Sequence, residues 1–457
     1  MPKRPGWTAA VAAQPRLHLP YRLSLLEHVV GERAEQRAAK GWRVPGVAAR
    51  SGRELFIAGL GIGQIASWGT LYYSFPLIAE RMGQNLGLSK PEVYGAATIG
   101  LLAASVTAYP IGAAIDRGHG RTIMTLGSGL AGLLLLVWSQ IASLWALYPL
   151  LALLGLAQAM TLYEPAFAVI ARRYGSEARR GITALTLWGG FASTVFVPLI
   201  QLLLNQLDWR GTLVVLGVIN LGLCAPLYLM VVNPKLDAPP SEPASVTSSE
   251  APLAGRQAVR WAIRQPAFWG LLTAFTVYYA TFSGFSFHLY SLLLERGFDT
   301  ATVVAVLVLL GPSQVAGRIA VWGIAERASV RAIGKVVVLA FPIALVLLLL
   351  LPPTFASLAA FATLYGAANG ILTIVRGIAV PEMLTREAYG AINSLLVVPA
   401  TIAKAIAPLG IALLWAAAGS YDVVLVGILA SSTLVVGGFW FAAAQTNPKK
   451  RPDAVQG

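Results

Sequence analysis

The chain has 457 residues, 56% hydrophobic and 12% charged. That is about half the charge of a soluble domain, which excludes an ordinary soluble globular protein. The net charge of +14 does not mark a nucleic-acid binder. Of the 34 Lys and Arg, 27 fall on one side of the apolar segments, four on the other (Arg81, Lys90, Arg210, Arg296) and three inside them. This is the positive-inside asymmetry of a membrane protein. The natural counterpart of the basic excess is anionic lipid, at roughly 1 kcal/mol per basic residue near the surface.

In chain order, residues 1–54 form a basic cytoplasmic segment. Its first 53 residues carry ten Lys or Arg and no continuous apolar core, so it is not a secretory signal peptide. Tyr21–Lys40 fits a short surface helix, and the plainer expectation is a disordered basic tail or an over-extended gene start. Twelve apolar stretches follow, near 55–79, 93–115, 122–142, 144–170, 181–204, 211–232, 268–293, 301–323, 334–351, 355–380, 390–416 and 422–444. Each has about the 20 residues that a helix needs to cross a hydrocarbon core roughly 30 Å thick. Between spans six and seven lies 233–267, opening with NPKLDAPPSEPASVTSSEAPL, a Pro- and Ser-rich stretch that reads as a cytoplasmic linker. The tail, 446–457, is cytoplasmic too. The lone Cys224 offers neither a disulfide nor a Cys metal site.

The two groups of six match. Asp116-Arg117 follows span two and Glu326-Arg327 follows span eight, 210 residues later. A fixed offset between halves is the mark of a parallel internal repeat, with a cavity at the repeat interface near the midplane. The expected fold is therefore all-α and integral to the membrane: twelve transmembrane helices in two pseudo-symmetric six-helix bundles, 55–232 and 268–445.

The turn after span two reads Gly112-Ala-Ala-Ile-Asp116-Arg117-Gly118-His119-Gly120-Arg121. It resembles the Gly-x-x-x-Asp-Arg-x-Gly-Arg-Arg signature of the major facilitator superfamily, with one extra residue after Arg117 and without the last basic residue. Gly323-Ile-Ala-Glu326-Arg327 is a weaker echo, and Asp208-Trp209-Arg210 is similar to a turn common in that family. Gly63-Gln64 with WGTLYYSF, TLYEPAF in span four and NGILTIVRG in span ten look like bacterial members distantly similar to monocarboxylate carriers. The positive-inside asymmetry puts both termini in the cytoplasm, and the resemblance implies a monomeric secondary transporter of the bacterial inner membrane. It also implies alternating access, with Asp116, Arg117, Arg121, Glu326 and Arg327 in the gating turns. A carboxylate at such a helix end pairs with Arg and caps a neighbouring helix in one arrangement and not in another.

A charge deep in a bilayer costs at least about 2.5–3.5 kcal/mol, so the few present matter. Glu164 in span four and Arg376 in span ten are 212 residues apart, close to the repeat offset. They are expected to be symmetry mates across the cavity, as a latch, a proton-exchanging pair or a static ion pair. Lys404, at the centre of span eleven, is the best candidate for holding an anionic group. Arg318 and His288 are further candidates, the latter because a histidine titrates near neutrality. Gln64, Tyr72, Tyr73, Tyr163 and Gln314 supply polar groups to orient a substrate.

No HExxH, Ser/His/Asp or paired-carboxylate set lies within the spans, and there is no Walker motif, so neither an enzyme nor a direct use of ATP is expected. No cofactor or metal is called for. The leading expectation is a proton-coupled carrier of a small organic anion such as a monocarboxylate. The alternatives are efflux of drugs or of oxyanions such as arsenicals, weakened by the absence of a Gly-x-x-x-Gly-Pro element in span five, and a transporter-like sensor.

Overall fold

The computed structural model describes residues 45–237, 251–324, 328–385 and 389–445. Glu326 and Arg327, most of the basic N-terminal segment, the middle of the linker and the C-terminal tail lie outside the described residues. Residues 56–457 form one compact unit; 1–55 form the other, of which only the stretch from Pro45 is described.

Every regular element among the described residues is helical. Helix α1 (Pro45–Trp68) passes through a π turn, Gly69–Tyr73, into α2 (Ser74–Leu86). Then come α3 (Lys90–Ala114), α4 (Gly120–Trp138), α5 (Leu144–Thr161), α6 (Tyr163–Tyr174), α7 (Ala178–Gly190), α8 (Ala192–Ile219) and α9 (Ala225–Val231). After the linker follow α10 (Ala251–Arg264), α11 (Pro266–Glu295), α12 (Thr300–Ile324), α13 (Val330–Leu350), α14 (Phe355–Met383), α15 (Tyr389–Ala418) and α16 (Tyr421–Gln445).

Local chemistry sets the boundaries. Gly87, at φ 67°, ends α2, and Ser89 with Glu92 forms a reciprocal capping box that starts α3. Asp299 starts α12 by accepting from the Thr302 amide (3.0 Å) and hydroxyl (2.6 Å), bonds that hold its carboxyl below the usual range. Gly118, at φ 97°, turns the chain between α3 and α4. Asp208, at φ 64° and ψ −174°, does the same inside α8, in a region otherwise almost confined to glycine. Its carboxylate accepts from Gly211 N (2.8 Å), while Arg210 reaches the Ser139 carbonyl (2.6 Å).

By length and composition nine of these helical stretches can cross a membrane. Two of the nine, Lys90–Trp138 and Arg180–Leu236, contain the Gly118 and Asp208 turns. The thirty-residue, aromatic- and hydroxyl-rich α11 is not among the nine. These features separate the nine from the twelve expected.

Span four is not the continuous helix expected over 144–170. It breaks at Leu162, which is extended (φ −77°, ψ −153°). The reason is Pro165, which has no amide to give the Thr161 carbonyl one turn earlier. Gln64 of α1 fills that gap, its Nε2 donating to Thr161 O at 2.7 Å.

The packing order repeats. Helix α3 packs on α5, and α5 on α4; in the second half α12 packs on α14, and α14 on α13. Both sets use glycine for close approach. A Cβ on Gly155 would lie 1.9 Å from Gly100 O, and one on Gly370 would lie 2.1 Å from Gln314 O. The halves meet through α3 on α15 and, reciprocally, α8 on α12.

At the end of the molecule that carries Lys90, the halves are locked. Tyr94 donates to Phe287 O (3.2 Å), Ser291 to Glu80 (2.9 Å) and Tyr290 to Gln201 (2.9 Å). Lys90 lies 4.2 Å from the Trp415 ring centroid and 4.8 Å from that of Tyr421, with Glu80 at 3.7 Å. Such cation–π contacts are worth about 0.5–2 kcal/mol each.

Two outcomes follow from this packing. Gln64→Leu strands the Thr161 carbonyl and should cost about 1–3 kcal/mol of stability, read as a lower melting temperature in detergent. Adding Pro165→Ala restores an amide, so the double variant should lose less than the sum of the singles. Strict additivity would mean that Gln64 does not serve the break. Separately, Glu80→Cys with Ser291→Cys, in a Cys224→Ala background, should be joined by a short bifunctional thiol reagent in the resting protein. Failure to cross-link would show that this end is open in solution.

Candidate functional site

Below the locked end the halves face each other across a layer of polar side chains. The break in span four builds one wall. It puts Tyr163 and Glu164 in the first turn of α6, with Glu164 exposed to the space between the halves. Tyr163 stacks on Phe167 (5.1 Å) and meets Trp68 (4.9 Å). Its hydroxyl fits only because residue 189 is glycine: a Cβ there would sit 2.1 Å from it.

The opposite wall comes from α11, α12, α14 and α15. Arg376, half-buried, lies over the Tyr279 ring at 5.1 Å. Beside it is a small, shallow recess lined by Phe275, Tyr279, Arg376, Asn393 and the strip Leu396, Val397 and Ala400 of α15. Lys404 is half-buried and within electrostatic range of both Glu164, which attracts it, and Arg376, which repels it. Tyr279 lies within reach of the Arg376 and Glu164 charges. The sequence-derived trio therefore does converge. It is not paired, however: among the described residues no ion pair within 4.0 Å joins Glu164 to Arg376 or to Lys404.

Arg318 is more committed. It crosses between the halves, donating to the Thr186 carbonyl of α7 at 2.8 Å, and its charge reaches Tyr73 and Tyr163. Gln314 accepts from Asn369 (2.9 Å), and Asn369 in turn accepts from Tyr278. Asn369, Tyr278 and Tyr279 were not among the residues picked from the sequence. Asn369 lies in the NGILTIVRG segment, and Tyr278-Tyr279 repeats in span seven the tandem tyrosines of span one, so a signal was present.

Other candidates lie elsewhere. Gln64 is fully buried and belongs to the repair of span four, with Tyr228 as a second partner (3.2 Å). Tyr72 is packed against Phe287 of the other half at 5.1 Å. His288 is fully buried in the locked end. Its Nε2 donates to Pro408 O (2.9 Å), which leaves Nδ1 to accept from the Tyr421 hydroxyl (2.7 Å), and its ring stacks on Tyr94 at 3.9 Å. It is a neutral structural link here, not a cavity group.

The Asp116 turn differs from the expected carboxylate–arginine contact. The Asp116 backbone carbonyl accepts from Arg172, which also pairs with Asp237 at 3.0 Å. The side chains of Asp116, Arg117 and Arg121 are exposed and join no ion pair among the described residues. An exposed pair gains little over solvation by water.

Comparisons with known proteins agree with this architecture. Monocarboxylate transporter 13 of Rattus norvegicus is 28% identical over 334 residues, 72% of this chain and 73% of that protein. Monocarboxylate transporter 11 of Homo sapiens is 33% identical over 211 residues, 45% of this chain and only 41% of the human protein's length. Among solved structures, the nucleoside transporter NupG superposes with a TM-score of 0.64 at 12% identity, covering 85% of this chain and 98% of that one. A bacterial homolog of the human lysosomal transporter Spinster, inward-facing and occupied, superposes with a TM-score of 0.63 at 13% identity, covering 87% and 98%. At those identities the likeness is one of fold. The family model of the Major Facilitator Superfamily matches residues 60–357, and with that match over most of its length this membrane-spanning, non-enzymatic chain belongs to the Major Facilitator Superfamily.

Proposed function

We propose that this chain carries a small organic anion, a monocarboxylate, across the membrane by alternating access coupled to protons. The observation that carries this reading is the imbalance in the polar layer. Among the described residues Arg318, Arg376 and Lys404 stand there against Glu164 alone, and neither Arg376 nor Lys404 has an ion-pair partner. Partly buried cations without a counter-charge favour an anion that brings one. The names of the relatives, transporters of monocarboxylates, point the same way.

On this reading the basic end is cytoplasmic and the structure is closed to the outside. Substrate enters the layer and its carboxylate meets Lys404 and Arg376, with the tyrosines completing the hydrogen bonds. Closure of the inner mouth brings Glu164 toward Arg376. Proton exchange at Glu164 as that contact forms and breaks couples the proton to the cycle. Arg318, already joining α12 to α7, acts nearer the gate.

Lys404→Gln should weaken binding of the carried anion roughly 10- to 150-fold, the loss of one charge-assisted hydrogen bond. Lys404→Arg should keep part of it. Binding and flux measured in liposomes decide this; undiminished affinity in Lys404→Gln, or a cationic substrate, would hand the site to Glu164 and place efflux first. Glu164→Gln should alter the pH dependence of flux while leaving the melting temperature near wild type. A Glu164→Arg, Arg376→Glu swap that restores activity lost in either single variant would identify the pair, and wild-type flux in both singles would remove the latch.

A further inference from the structure

We propose that α10 is a lateral anchor that binds the phosphate headgroups of anionic phospholipid along one stripe of arginines. Its sequence, APLAGRQAVRWAIR, places Arg256, Arg260 and Arg264 four residues apart and contains no acidic residue. Four residues are a little over one helical turn, so the three fall on one stripe. Arg260 and Arg264 are exposed and have no hydrogen-bond or ion-pair partner among the described residues. Each guanidinium brings five N–H donors in a fork that matches phosphate geometry.

The rest of α10 fixes that stripe at headgroup depth. Ala262 is fully buried and Val259 partly so, and the helix packs on α11 and α15. Trp269, in the first turns of α11, donates its indole N–H to Ile263 O at 2.8 Å and pins the end of α10. Helix α11 has 30 residues, about 45 Å at 1.5 Å rise, against a hydrocarbon core of roughly 30 Å. The helix therefore overhangs the core, and the exposed Trp269 (53%), a residue type at home in the interfacial layer, marks its start as such an end. Gln265 is extended (φ −80°, ψ 128°) and Pro266 opens α11, so the chain bends between the two helices and α10 does not simply prolong the span. Among membrane components the counterpart of an unpartnered guanidinium stripe at that depth is a lipid phosphate bearing net negative charge, since a zwitterionic headgroup cancels most of the attraction. Because α10 rests on α15, the helix that carries Lys404, bound lipid would brace the second half. The assignment of the anchor is independent of what the chain carries.

The test uses the full-length protein in nanodiscs of phosphatidylcholine, with and without phosphatidylglycerol, reading the lipid retained by the protein and its melting temperature. Selectivity for phosphatidylglycerol should fall roughly fivefold per arginine neutralised, so on the order of 100-fold in Arg256→Gln/Arg260→Gln/Arg264→Gln. The stabilisation by phosphatidylglycerol should vanish with it. The three Arg→Lys changes should retain most of the selectivity, which guards against a folding defect in the Gln variant. Neutralising Lys449, Lys450 and Arg451 of the tail, the same change in charge, should cost far less selectivity than the arginine triple variant. Inorganic phosphate in phosphatidylcholine discs should give no stabilisation. Equal loss in the tail variant, or full retention in the Gln variant, would overturn the anchor, as would a free-phosphate effect that matches the lipid's.

Discussion

A backbone carbonyl that loses its amide partner inside hydrocarbon must find another donor, and the arrangement of the polar layer follows from one such replacement. Pro165 cannot bond to Thr161 O, and Gln64 does so from another helix. With that carbonyl satisfied, span four can break rather than merely kink. The break starts a new helix whose first turn holds Tyr163 and Glu164, where a carboxylate is favoured by the exposed amides and the helix dipole. A continuous helix would have carried Glu164 along the side of a cylinder; the broken one presents it to Lys404 and Arg376.

The two ends of the molecule are built on different interactions. At the Lys90 end, polar groups from both halves are mutually satisfied: Tyr94, Glu80, Ser291, Tyr290, Gln201 and a neutral His288. Opening that end means separating several such contacts together, each worth only about 0.5–1.5 kcal/mol net but coupled through shared partners. In the central layer the charges remain mutually unpaired, and their interaction energy is still available to a ligand or to a closing motion. That asymmetry would serve the proposed alternating cycle, since a ligand shifts an equilibrium only by the difference in its contacts between the states.

Much of this was legible in the sequence because bilayers enforce simple rules. The helical class and the rarity of intramembrane charge came from composition and spacing, the family from the resemblance of the Gly112–Arg121 turn to its signature, and Glu164, Arg376 and Lys404 do lie in one electrostatic neighbourhood. What stayed hidden depended on which way a side chain turns. Gln64 and His288 carry the polar atoms expected of substrate ligands, yet both satisfy protein groups, the Thr161 and Pro408 carbonyls. Pro165 was visible in TLYEPAF, but its consequence required knowing that a donor stood across from Thr161. Asn369 was passed over although its neighbours were noticed, because a lone amide in an apolar run gives no sign of whether it meets Gln314 or a cavity.

The three cations of the layer differ in how much of their hydrogen-bonding capacity the protein already uses. Arg318 spends one donor on the Thr186 carbonyl and spans the two halves. Arg376 rests on the face of Tyr279, a contact that leaves its in-plane N–H groups unengaged. Lys404 donates no hydrogen bond to any described residue and meets the others only through space. Unused hydrogen-bonding capacity therefore rises from Arg318 to Arg376 to Lys404. A carboxylate has two oxygens with about four lone-pair sites, enough to engage Lys404 and Arg376 together. It would screen their mutual repulsion as it did so. If, as proposed, Glu164 approaches Arg376 when the mouth closes, such a ligand and Glu164 would compete for the same pair of charges. On the proposed cycle, that competition would tie occupancy of the site to the position of the gate without any longer-range pathway.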